Sequence, residues 1–212
     1  MYFSLKLPKE SVALAKALTI IPNSTSKLDL DGNQFSYRII TEIKTILKAI
    51  PPSVRHLSMN LNGLGYKKIS DLIEISKTLP HTITYLELQY NSLSSPEVIA
   101  ILTSIASNIT HLDLRGNPYS YSELKKILNA LPPTINYLRL DNSPALKMVL
   151  KEESHKLNPC LAANLNYMLY STTEVPSLLS QATFFAYSRK IINQENEKQL
   201  PVDITEIPHN FK

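Results

Sequence analysis

The chain writes one short frame five times. It reads TSKLDLDGNQF from Thr25, VRHLSMNLNGL from Val54, ITYLELQYNSL from Ile83, ITHLDLRGNPY from Ile109 and INYLRLDNSPA from Ile135. Successive copies start 29, 29, 26 and 26 residues apart. Four copies close on an Asn, at Asn33, Asn62, Asn91 and Asn117, and Ser143 stands there in the fifth. Leu28 and Leu30 alternate with Lys27, Asp29 and Asp31, and period two puts the Leu pair on one face of a short strand. That face must be buried, and one copy has nothing to bury it against. Stacked copies supply a continuous core and a parallel sheet.

Between the copies, apolar residues fall at helical spacing, as at Leu124, Ile127, Leu128 and Leu131. Ser95 before Pro96 and Ser122 before Glu123 read as helix starts. Pro22, Pro51, Pro80 and Pro132 each lie three residues ahead of a copy, where a proline ends the helix and prepares an extended strand. Ala106 takes that place once, so the helix before Ile109 is expected to run slightly long. The Asn column sits where the chain leaves the sheet. Its side chains are expected to satisfy backbone groups that the turn leaves unpaired.

An L-x-x-L-x-L-x-x-N frame with strand and full helix in 26–29 residues resembles the leucine-rich-repeat family, ribonuclease-inhibitor type. The resemblance covers roughly residues 20 to 145. It implies an α/β curved solenoid, with the parallel sheet on the concave face and helices on the convex face. The ends depart from the frame, as capping units do. Residues 1–24, with a strand at Phe3–Leu7 and a helix at Pro8–Thr19, read as an N-terminal capping unit, and 25–143 as the repeats. Residues 144–195 read as a helical C-terminal cap that Pro144 opens and that includes NPCLAANLNYMLY and VPSLLSQATFFAYSRKIINQ. Residues 196–212 read as a flexible tail.

Composition narrows the function classes. With 43% hydrophobic and 19% charged residues among 212, the chain suits a soluble globular protein. The net charge of +4 is spread among interleaved acids and bases, so no basic stripe points to nucleic acid. No run of about 18 uncharged apolar residues offers a membrane span. The single Cys160 leaves no intramolecular disulfide and favours a reducing compartment. The N-terminus lacks the basic start and apolar run of a secretory signal.

The polar side of the strands forms a grid of three columns. The first holds Lys27, His56, Tyr85, His111 and Tyr137; the second Asp29, Ser58, Glu87, Asp113 and Arg139; the third Asp31, Asn60, Gln89, Arg115 and Asp141. Neighbouring strands lie about 4.8 Å apart. His56 and His111 are two strands apart, roughly 10 Å, too far for joint zinc ligation. Glu87 and Asp113 are adjacent, as the carboxylates of a retaining glycosidase would be, but an open sheet encloses no substrate. They need a cation between them, from Arg115, Arg139 or a partner. No His is anchored near Cys160 of NPCLAA in sequence, and it lacks the Cys-x-Asp pattern of the bacterial ubiquitin ligases that carry such repeats. The four glycines, Gly32, Gly63, Gly65 and Gly116, all lie near repeat turns and form no phosphate loop. LPKESVALAKAL from Leu7 resembles the opening of an F-box, in about half the room an F-box needs.

What the residues leave is a surface, with Tyr and Arg of the kind that dominates protein interfaces. Tyr85, Glu87, His111, Asp113, Arg115, Tyr137 and Arg139 are the candidate partner-binding residues on the concave face. The expectation is a non-enzymatic protein-binding module without cofactor or metal, monomeric when free, with no nucleic-acid or membrane partner. The alternative is an F-box-like adaptor that recruits ubiquitin ligase machinery through the N-terminal helix. LPPTINYLRL and LPHTITYLEL, the scarcity of Gly and the Asn, Ile and Lys bias also resemble the short leucine-rich-repeat effectors of Legionella-like bacteria. That resemblance implies type IV secretion into the host cytosol without an N-terminal signal. The Glu-bearing tail NQENEKQLPVDITEIPHNF would act as the signal, and the partner would be a host protein or another bacterial effector.

Overall fold

The computed structural model describes residues 1–8 and 16–170. Six strands form one parallel sheet in sequence order: β1 (Tyr2–Ser4), β2 (Lys27–Asp29), β3 (His56–Ser58), β4 (Tyr85–Glu87), β5 (His111–Asp113) and β6 (Tyr137–Arg139). Each neighbouring pair is in the register that the repeat frame dictates, so Leu28, Leu57, Leu86, Leu112 and Leu138 stand side by side. All five are buried, as are Leu30, Met59, Leu88, Leu114 and Leu140 of the second apolar position. The sheet is open, and the molecule is the α/β leucine-rich-repeat solenoid that the frame implied.

Helices return the chain from strand to strand, α1 (Ile40–Lys48), α2 (Ile69–Thr78), α3 (Ser95–Ser104) and α4 (Tyr121–Asn129), and α5 (Pro144–Glu153) follows β6 in the same row. Each packs against the next. Their apolar stripes, such as Ile43, Ile46 and Leu47 on α1 or Leu124, Ile127 and Leu128 on α4, close the core from the other side. All five copies begin with a turn in which the first residue donates its N–H to the carbonyl three positions earlier, on Pro22, Pro51, Pro80, Ala106 and Pro132. The alanine thus does what the prolines do, and α3 is not lengthened. Helix starts differ slightly from the sequence reading. Ser94 and Ser120, not Ser95 and Ser122, are the N-caps of α3 and α4, each in a reciprocal capping box with the Glu three residues on. The first strand is Tyr2–Ser4, shorter than expected, and most of the helix read at Pro8–Thr19 lies outside the described residues.

The Asn column is a hydrogen-bonded ladder. Asn91 is fully buried; its amide donates to the carbonyls of Met59 (2.9 Å) and Gln89 (3.2 Å), and its oxygen accepts from the N–H of Asn62 (2.9 Å) and Leu64 (3.3 Å). Asn117 repeats this one copy later, donating to Leu88 and Leu114 and accepting from Asn91 and Leu93. Each Asn therefore ties its own turn to the preceding copy. In the fifth copy Ser143 instead caps α5, accepting from the N–H of Leu146 at 3.1 Å.

The last strand is covered by α6 (Pro159–Tyr170), which crosses to β6 instead of continuing the row. Leu161, Leu165 and Leu169 enter the core. Asn164 accepts from the N–H of Leu138 at 3.0 Å, and Asn158 donates to the carbonyl of Ile135 at 3.0 Å. Asn164 thus takes the place of a ladder partner that a seventh strand would supply, and Asn158 does at Ile135 what Asn108 does at Ile83, which blunts the exposed edge.

Candidate functional site

The in-register sheet turns the first polar column into a row of stacked rings. His56 stacks on Tyr85 with centroids 4.1 Å apart, Tyr85 on His111 at 5.2 Å, and His111 meets Tyr137 at 5.2 Å with the planes tilted by 32°. The four rings form a continuous aromatic ladder over β3–β6, on the face opposite the Leu core. Offset stacking of this kind adds about 0.5–1.5 kcal/mol per pair beyond burial. It also holds each ring in one orientation before any partner arrives.

The second and third columns are charged, and the charges are largely matched within the chain. Glu87 accepts from Lys27 (3.1 Å) and Asn60 (3.1 Å), lies 3.0 Å from the Ser58 hydroxyl oxygen and pairs with His56. Lys27 reaches it from two strands away. Asp113 has only 1% of its side chain exposed; Arg115 grips it through Nη2 at 2.8 Å, Gln89 donates at 3.1 Å, and Arg139 lies at 3.7 Å. Asp31 accepts from Ser58 at 2.5 Å and from the Asn60 amide at 3.1 Å. The two adjacent carboxylates therefore have separate sets of cations, and no partner's Lys or Arg is needed between them. Arg115 and Arg139 keep about a third of their side-chain surface in solvent, at 31% and 28%, and are the charged groups beside the ring row over β4–β6 that stay partly open to a ligand.

All seven residues expected on the concave surface do lie on this face, but they are not equivalent. Tyr85, His111 and Tyr137 are half-buried in the ladder, Asp113 is a buried anchor for two arginines, and Glu87 is the hub of a network. His56 belongs with them, as the first ring of the ladder and a partner of Glu87. It stood in the same column of the sequence grid; what the sequence could not give was ring orientation. Cys160 lies half-buried on α6. Leu7 of the F-box-like stretch is 9% exposed and donates its N–H to Asn33 at 2.7 Å, while the Pro8 carbonyl accepts from Arg38 at 2.7 Å. These two residues are bound into the first repeat, and residues 9–15 of that stretch lie outside the described residues.

Two ionisable groups of the face make its stability depend on pH. Burial pushes the His111 imidazole below its ordinary value of 6.5, and the charge of nearby His56 adds to this. Burial also opposes ionisation of Glu87, but hydrogen bonds from His56, Asn60 and Lys27 outweigh it and hold the carboxyl far below its ordinary 4.5. In both cases the unfolded chain binds a proton at a higher pH than the folded one, so stability falls as pH falls. The loss is expected to begin below 6.5 through His111 and to deepen below 4.5 through Glu87. Urea midpoints across that range measure it. His111→Gln should flatten the upper part and Glu87→Gln the lower; an upper part unchanged in His111→Gln would remove the imidazole from this account.

Fold and face together define a leucine-rich-repeat protein, and the chain is one. Among solved structures it is similar to the leucine-rich repeat-containing protein LegL7 from Legionella pneumophila, at 26% identity and a TM-score of 0.63 over 88% of this chain and 69% of that one. Weaker likenesses are to the tropomodulin C-terminal domain of Caenorhabditis elegans (10% identity, TM-score 0.44, 70% and 95% of the two chains) and to the 3,6-anhydro-D-galactonate cycloisomerase of Zobellia galactanivorans (14% identity, TM-score 0.38, 84% and 55%). At those scores neither bears on function. No family model and no curated protein matches the chain.

Proposed function

We propose that the chain is a non-enzymatic protein-binding module, and that a protein partner docks on the concave face over β3–β6. The observation that carries this reading is the four-ring ladder His56–Tyr85–His111–Tyr137, flanked by the partly open guanidinium groups of Arg115 and Arg139. The rings and their charged neighbours are held by contacts within the chain, so little ordering entropy is lost on docking. Interfaces of this make-up draw their energy from a few Tyr and Arg anchors. The likeness to a Legionella protein of the same class supports a bacterial effector that acts on a host protein or on another effector. Among the described residues no helix is long and apolar enough to cross a membrane. The repeats at 25–143 would carry the binding face, with 1–24 and 144–195 closing the two ends. Nothing in the described residues favours the ubiquitin-adaptor reading.

The test is affinity capture from host lysate and from an effector library, followed by titration of the captured protein. Tyr85→Ala and Tyr137→Ala should each cost more than about 1 kcal/mol of binding, roughly a fivefold rise in Kd. Reversal of Glu87 or Asp113 is not a clean probe of a basic partner, because each would break the internal network. Binding that survives both tyrosine changes in folded protein would place the interface elsewhere.

A further inference from the structure

The first two complete repeats are three residues longer than the next two, and the extra length has a definite product. It forms the 3-10 turns Phe35–Tyr37 and Leu64–Tyr66 ahead of α1 and α2. In each turn the first residue is buried and the last is driven into solvent: Tyr37 is 87% exposed and Tyr66 77%. Ile39 and Ile69 follow them, at 65% and 45%. Leu61 and Tyr90, on the adjoining turns of the same rim, are 60% and 58% exposed. Six large apolar side chains therefore share one rim of the solenoid, off the concave face, and none of them serves the core. A monomer has no use of its own for such a concentration of exposed apolar surface.

The backbone under this rim is fixed. The N–H of Ser36 donates to the carbonyl of Asn62 at 3.0 Å and that of Gly65 to the carbonyl of Asn91 at 2.9 Å. At Gly65 the neighbouring turn is so close that a Cβ would lie 1.9 Å from the Ser92 carbonyl oxygen. Leu61 and Tyr90 hold left-handed backbone, with φ of 56° and 52°, at the position where the first and fourth copies use Gly32 and Gly116. Glycine serves the fold better at such a position, because a bulky side chain there is strained. The Tyr90 ring lies over Gly116, close enough to exclude a Cβ.

Along the rim the basic side chains Arg38, Lys67 and Lys68 outnumber the acidic Glu42 and Asp71. Arg38 donates to the carbonyls of Asn33 and Pro8, with the Glu42 carboxylate 4.0 Å away. Lys67 donates to the neutral carbonyl of Arg38. Lys68, beside the exposed Ile69, is exposed and has no ion-pair partner among the described residues. An apolar rim with unneutralised lysines complements a segment that alternates apolar and acidic side chains. We propose that this rim, formed by Tyr37, Ile39, Leu61, Tyr66, Ile69 and Tyr90, is a second docking surface, and that its occupant is an acidic, apolar peptide segment of a protein partner.

The experiment titrates the isotope-labelled full chain with two short synthetic peptides of equal apolar content, one with glutamate and one with lysine at the polar positions. The glutamate peptide should shift the amide resonances of residues 36–39, 61–69 and 90 and bind at least about tenfold more tightly than the lysine peptide. Tyr37→Ser with Tyr66→Ser should weaken it by about tenfold at unchanged melting temperature, since both side chains are in solvent. Leu61→Gly should weaken it while raising the melting temperature. Tyr85→Ala with Tyr137→Ala should leave it unaltered, so failure of the concave-face reading and failure of this one are read separately. Equal binding of the two peptides, or shifts elsewhere, would overturn the proposal. So would a dimer in sedimentation that buries these residues, which makes the occupant a second copy. Recruitment to phosphatidylserine vesicles without peptide binding would overturn it too, by making the rim a lipid surface.

Discussion

Asn91→Ala should be among the most damaging single substitutions in this molecule, at about 3 kcal/mol or more of folding stability. The change removes no apolar contact of consequence. It leaves the buried N–H groups of Asn62 and Leu64 and the buried carbonyl of Met59 without the partner they have in Asn91. The Gln89 carbonyl, also bonded to Asn91, keeps the N–H of Leu61 at 3.0 Å. Each orphaned group costs about 1–3 kcal/mol when water cannot reach it. Asn91→Asp is no remedy, because it gives up both donors and buries a charge. Equilibrium unfolding in urea measures the loss. A cost under about 1 kcal/mol would mean that water or a backbone shift replaces the amide.

Leu112→Ala is expected to cost about 2–5 kcal/mol, from lost burial and the cavity left behind. Leu112 is 1% exposed and sits between Leu86 and Leu138 in the register, so the cavity opens in the middle of the stack where neighbours are least able to collapse. Leu112→Met, of similar volume, should cost less than about 1.5 kcal/mol. A melting temperature equal to wild type for Leu112→Ala would contradict the packing described here. Both substitutions would also disturb the aromatic ladder, since Leu112 lies between His111 and Asp113 on the same strand. Losses of binding in these variants therefore say nothing about the interface unless the protein is shown to be folded.

The sequence by itself determined the fold and the layout of the face. Parallel strands that pair in register make position within the frame equivalent to position in space, so the columns Lys27–His56–Tyr85–His111–Tyr137 and Asp29–Ser58–Glu87–Asp113–Arg139 could be written down from spacing alone. The same logic located the Asn ladder, since the same turn recurs at each Asn. Tertiary structure decided what those columns do. Whether four rings stack, whether Lys27 reaches across β3 to Glu87, and whether Arg115 folds back on Asp113 are choices of side-chain rotamer. Rotamers depend on neighbours from other repeats, which no local pattern encodes. The shift of the helix caps to Ser94 and Ser120 has a similar origin, because turn length and packing set where each helix begins. The extra three residues in two repeats could be counted in the sequence. Only the packed solenoid shows that they form a 3-10 turn whose first residue, Phe35 or Leu64, is held in the core while its last, Tyr37 or Tyr66, has nowhere to go but into solvent.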